Sequence, residues 1–136
     1  MTVILPVKIR GSVIAGDGRG RGIGYPTANV EAPIDALAGL QVGVYAAQAC
    51  TADGENYTAV VNLGYQPTFA GKQLRLEAHL LDYSGDLYGT EVCVCLIRYL
   101  REERTFAGVE ALATQIEFDI DAARSCVDIE EDSQSR

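Results

Sequence analysis

Leu74-Arg75-Leu76-Glu77-Ala78-His79-Leu80-Leu81 alternates between apolar and polar residues with a period of two. Successive side chains of a β-strand point to opposite faces. Leu74, Leu76, Ala78 and Leu80 therefore share one face, and Arg75, Glu77, His79 and Leu81 the other. Working outward, Glu91 to Leu100 is strongly β-prone, with Val92, Val94 and Leu96 opposing Cys93, Cys95, Ile97 and Tyr99. Val7 to Ala15, Gly43 to Thr51 and Tyr57 to Leu63 read as further strands, and Asp53-Gly54 is a hairpin signal between two of them. Short strands punctuated by Gly and Asp turns point to an antiparallel barrel or sandwich. No segment of helical period separates the runs, which speaks against a parallel α/β sheet.

The period changes after Phe106. Val109, Leu112, Ala113, Ile116, Ile120 and Ala123 recur at helical spacing. Gly108 is an acceptable N-cap, and Glu110 suits the positive end of the helix dipole. A helix to about Arg124 is expected, covering one side of the barrel. The expected domain covers residues 1–126, and 127–136 reads as an acidic, disordered tail.

The chain has 136 residues, of which 48% are hydrophobic, enough for one domain with a real core. No apolar stretch approaches the roughly 20 residues of a membrane span. The start, Met1 to Pro6, is too short and lacks the basic flank of a signal peptide, so a cytoplasmic protein is expected. A net charge of -8 argues against nucleic acid as a partner. Cysteines stand at positions 50, 93, 95 and 126; Cys93-Val94-Cys95 lacks metal-pair spacing, and those two, sharing one strand face, read as reduced core thiols.

Against this acidic background stands Gly16-Asp17-Gly18-Arg19-Gly20-Arg21-Gly22-Ile23-Gly24-Tyr25-Pro26-Thr27-Ala28-Asn29. Glycine admits positive φ and lets backbone amides approach a ligand, and successive amides can form an anion-binding nest. Arg19 and Arg21 add charge and bidentate donors. The Walker pattern is excluded because the lysines, Lys8 and Lys72, lie elsewhere, and the Rossmann pattern finds no third glycine. Thr27 and Asn29 offer hard oxygens two residues apart, on one side of an extended segment, where both could meet one divalent ion. Glu77, away from the apolar row of its strand, is a carboxylate that could accept a proton.

The run Gly16 to Asn29 resembles the phosphate-binding signature of the flavokinase (riboflavin kinase) family. Further matches follow in order: Gly43-Val44-Tyr45, Val61-Asn62-Leu63-Gly64 with Pro67-Thr68-Phe69, Leu76-Glu77-Ala78-His79-Leu80-Leu81-Asp82, Asp86-Leu87-Tyr88-Gly89, and Leu100-Arg101 with Phe106. The resemblance implies a mainly β fold, a small closed antiparallel barrel of about six strands with Greek-key character and a C-terminal α-helix. It implies transfer of the ATP γ-phosphoryl group to the 5′-hydroxyl of riboflavin, giving FMN and ADP. Glu77 would be the general base, and Thr27 and Asn29 the ligands of Mg²⁺ or of another divalent cation such as Zn²⁺ or Mn²⁺. Gly16, Gly18, Arg19, Gly20, Arg21, Gly22, Thr27, Asn29 and Asn62 would hold the nucleotide phosphates. Arg101, Glu103 and Phe106 would lie near the flavin, although Glu102 and Thr105 depart from the family's Pro and Lys in that stretch.

The expected partners are riboflavin and ATP, with no nucleic acid and no membrane, and the expected state is a monomer. His79 is the single histidine of the chain and reads as structural. One histidine cannot supply the His-x-Gly-His type motif of an adenylyltransferase, so the reaction is expected to stop at FMN. The competing reading is a flavin- or nucleotide-binding sensor on the same fold without turnover, for which a base at position 77 would be unnecessary.

Overall fold

The structure is a computed structural model that describes residues 4–14 and 27–134. Six strands and two helices follow in order: β1 (Val7–Ile14), β2 (Ala28–Glu31), α1 (Ile34–Leu37), β3 (Gly43–Thr51), β4 (Asn56–Thr68), β5 (Gly71–Leu80), β6 (Glu91–Arg101) and α2 (Val109–Gln134). The strands close into a barrel in the order β1-β2-β5-β4-β3-β6, every neighbour antiparallel. β3, β4 and β5 form a meander, and β6 returns to lie beside β3, which is a Greek key. The expected closed barrel with a C-terminal helix is thus the observed fold.

The period-two patterns sort the side chains as read. Leu76, Ala78 and Leu80 of β5 are buried, as are Val92, Val94 and Leu96 of β6. They meet Ile9, Val13, Val30, Val61 and Leu63 inside the barrel. Each such aliphatic side chain contributes about 1.5–3 kcal/mol on leaving water. Cys93 and Cys95 sit on the opposite face, half-buried outside the barrel and in no disulfide, rather than in the core. Cys126 is the buried cysteine.

Among the strands, the largest differences from the sequence reading lie at the β4–β5 hairpin. β4 continues past Leu63 to Thr68, and β5 begins at Gly71, because the β4–β5 hairpin carries its ladder out to the pair Thr68 and Gly71. Pro67 is tolerated there because it sits near the exposed tip, where a missing N–H matters least. β2 has four residues, too few to show an alternation.

α2 runs to Gln134, past the expected end at Arg124 and through residues 127–134 of the expected tail. No Gly or Pro interrupts Val109 to Gln134, and Glu130, Glu131 and Gln134 are good helix formers, so nothing stops the helix where its apolar stripe ends. Residues 135 and 136 of the assigned tail lie outside the described residues.

α2 covers one side of the barrel from outside. Ala123 and Cys126 pack against Ala46 of β3, with Val60 of β4 and Leu100 of β6 beside them. Gly43 at the start of β3 has φ +151°, and a Cβ there would lie 2.5 Å from the Arg101 carbonyl oxygen. The end of β6 can therefore approach only a glycine. Among the described residues, no helix is long and apolar enough to cross a membrane.

Candidate active site

The outer face of β4 and β5 is not covered along its whole length. Between it, the first half of α2 and the strap of residues 102–108 lies a groove of about 620 Å³. β5 presents Arg75, Glu77 and His79 to it, the same alternation that sends Leu76, Ala78 and Leu80 inward. β4 contributes Val60, Asn62, Gly64 and Gln66, and Thr27 lies at the entrance to β2. The apolar stripe of α2 is divided between two tasks. Leu112 and Ile116 line the groove, while Ile120 and Ala123 are buried. Val109, expected in that stripe, is exposed.

Strand register makes the polar cluster. Asn29 of β2 and Asn62 of β4 both pair with Glu77 of β5, so three residues distant in sequence stand in one row across the barrel wall. Direct cross-strand neighbours have Cβ atoms about 4.5–5.5 Å apart. Glu77 is half-buried, and its Oε1 accepts a hydrogen bond from Gln66 Nε2 at 2.6 Å. Gln66 was not anticipated. Its role depends on the hairpin extending beyond Leu63, and its identity carries no local signal.

Asn29 is 5% exposed, and its Oδ1 is buried with no hydrogen-bond partner among the described residues. Leaving such an oxygen unpaired costs about 1–3 kcal/mol, and such exceptions call for an explanation. A hard cation shared with Thr27 is one that the donor chemistry fits. No group of three or more His, Cys, Asp or Glu suited to a metal occurs among the described residues. An ion held here would rest on neutral oxygens and on its ligand's phosphates, as Mg²⁺ with a nucleotide does.

Glycine at position 64 leaves a gap in the same β4–β5 wall. A Cβ there would fall 2.0 Å from Glu103 Oε1, so the Glu103 carboxylate occupies the space a side chain would need. The rest of Glu103 is exposed. Burial of this end, reinforced by the negative charge of Glu77, pushes the Glu103 carboxyl above its ordinary value, and Arg101 opposes the shift.

Arg101 is anchored. Its Nε donates to Asp119 Oδ1 at 3.0 Å and its Nη2 to Oδ2 at 2.8 Å, and its guanidinium lies 5.8 Å from the centre of the Phe106 ring. Thr27, Asn62, Glu77, Arg101, Glu103 and Phe106, all singled out from the sequence, line this one groove. Gly16, Gly18, Arg19, Gly20, Arg21 and Gly22 lie outside the described residues.

The comparisons with known proteins agree with this picture. A bifunctional riboflavin kinase/FMN adenylyltransferase from Pseudomonas fluorescens is 41% identical over 121 residues, covering 88% of this chain and 38% of that protein. The chain therefore spans little more than a third of the length of such relatives. A crystal structure of a macrolide-efflux protein from Streptococcus pneumoniae is 33% identical with a TM-score of 0.76, covering 88% of this chain and 38% of that one. Riboflavin kinase from Trypanosoma brucei shares the fold, with a TM-score of 0.71 at 22% identity, over 90% of this chain and 77% of that one. The family model described as flavokinase, riboflavin kinase, matches residues 3–127, and with nearly the whole barrel and much of α2 inside that match the chain belongs to this family.

Proposed function

We propose that this chain transfers the γ-phosphoryl group of ATP to the 5′-hydroxyl of riboflavin. The observation that carries this reading is the register row of Asn29, Glu77 and Asn62, of which Glu77 and Asn62 line the groove, with Gln66 holding the carboxylate. Glu77 takes the proton of the substrate hydroxyl as that oxygen forms its bond to the γ-phosphorus. The bond from the γ-phosphorus to the bridging oxygen breaks, and ADP leaves with the electron pair. Thr27 and Asn29 hold the divalent cation, Mg²⁺ or a substitute such as Zn²⁺ or Mn²⁺, which when bound neutralises phosphate charge. Amides of Gly16, Gly18, Gly20 and Gly22, with Arg19 and Arg21, cradle the phosphates. Tyr65, Phe106, Leu112 and Ile116 give the groove an apolar surface that suits a flat aromatic ring beside the polar cluster. Arg101 and Glu103 border the same ring.

Incubation with ATP, Mg²⁺ and riboflavin, followed by chromatography, tests the reading: FMN should form and FAD should not. FAD from these inputs would contradict the inference drawn from the single histidine. Ligand binding without FMN, under several divalent metals, would favour the sensor reading. We further place the chain in the cytoplasm, working as a monomer without nucleic-acid or membrane partners. A closed barrel leaves no strand edge for pairing, which supports the monomer, and size-exclusion chromatography checks it.

A further inference from the structure

Asp119 lies outside the row that performs the chemistry, yet it is a buried carboxylate, 5% exposed, at the wall of the groove. It accepts the paired Arg101 donors and, at Oδ1, a hydrogen bond from Gln115 Nε2 at 3.1 Å. Gln115 Oε1 in turn accepts from Arg104 Nη1 at 3.1 Å, and Arg101 Nη1 donates to the Glu102 carbonyl at 2.9 Å. Apart from the Gln115–Asp119 bond, which lies within α2, every tie in this set reaches the strap or the residue where it leaves β6. The strap then delivers the Glu103 carboxylate to the gap above Gly64, where it feels the charge of Glu77.

We propose that Asp119 is a positioning residue for phosphoryl transfer, acting through Arg101 to hold the strap against the groove. The proposal rests on the reading of the groove as the phosphoryl-transfer site. Attachment of α2 does not explain the pair by itself. The helix is already held by Ala123 and Cys126 against the barrel and by the exposed bridge from Arg124 to Asp82. A buried ion pair is often no more stabilising than an apolar pair of similar volume, whereas a bidentate fork fixes one geometry. Reacting groups are sensitive to such placement, since a displacement of about 1 Å can cost on the order of 100-fold in rate.

The test combines kinetics with hydrogen exchange on the full chain. Asp119→Asn should lower kcat roughly 10–100-fold at a temperature where the variant is folded, with KM for ATP changed less than about threefold. Asp119→Glu, which keeps the charge, should recover most of kcat. In an Arg101→Met background, Asp119→Asn should add little, because the two act as one unit. Amides of residues 102–106 should exchange faster in Asp119→Asn while those of β5 stay protected. A lowered melting temperature with wild-type kcat, or an independent loss on top of Arg101→Met, would overturn the proposal. If the wild-type chain forms no FMN, the riboflavin reading fails, and exchange alone decides: unchanged strap exchange overturns the positioning role, and faster strap exchange upholds it.

Discussion

The two faces of β5 divide the labour of the molecule at a spacing of one residue. Leu76 and Ala78 point into the barrel and are at most 1% exposed, while Glu77 between them points into the groove. The inner face is redundant in chemistry and demanding in shape, since many apolar residues could serve but each must fill its volume. The outer face is the reverse. It tolerates changes of volume, but a carboxylate must stand in register with Asn29 and Asn62. Stability and turnover should therefore respond to different residues of the same strand.

The sharpest way to break this comparison is Glu77→Gln. Turnover should fall by roughly 10²–10⁴, the range for losing a general base. Riboflavin and Mg·ATP affinities and the melting temperature should hold, because Gln66 can still hydrogen-bond the replacement. Near-wild-type turnover by a folded, ligand-binding variant would end the assignment.

Leu76→Ala is the counterpart on the inner face. It should lose about 2–5 kcal/mol in denaturant unfolding while each molecule that remains folded keeps kcat within a small factor. A large fall in kcat at full folding would mean that the two faces are coupled.

Asn29→Ala sharpens the comparison at the row's buried end. Removing an oxygen that has no partner among the described residues should leave the melting temperature unchanged or slightly raised. Mg·ATP affinity, measured by calorimetric titration, should weaken roughly 10–100-fold, the equivalent of one charge-assisted contact.

The smallest expected effect concerns Glu103. Its carboxyl titrates above the ordinary 4.5 in the folded protein. The folded state thus holds the proton more tightly than the unfolded chain. That advantage is fully present below pH 4.5 and is lost as pH rises through the folded value. Glu103→Gln should accordingly be slightly more stable than wild type at pH 7 and equal to it at pH 4 in paired denaturant titrations. A variant less stable at pH 7 would show that the ionised carboxylate is a net structural asset.

Most of the barrel was legible because period-two patterns are local. Leu74 to Leu81 and Glu91 to Leu100 declared their faces, and Asp53-Gly54 declared its hairpin. β2 was not, since four residues contain two alternations at most, and neither was the end of α2, where a polar helix has no apolar stripe to mark it. Within the site, Thr27, Asn62, Glu77, Arg101, Glu103 and Phe106 could be picked out by chemistry and family resemblance, and they share one groove. Gln66 and Asp119 could not. Each acts through a partner 11 or 18 residues away, a distance set by strand register and helix docking rather than by any pattern in the chain.

The seam between β1 and β6 has a consequence in time. Val7 lies beside Leu96, so the barrel closes only when its first strand meets its last. The β3–β4–β5 meander can form early from short loops, but both β1 and β3 need β6 as a neighbour. Pairing over such separations is slow, in the millisecond-to-second range seen for barrels of non-local contacts. A chain emerging from the ribosome can pair its first strand with β2, but must keep the other edge of that strand unpaired until nearly all of the domain has been made. Through that interval the open flank of β3 is bare ladder, and a second nascent chain could pair with it before β6 arrives.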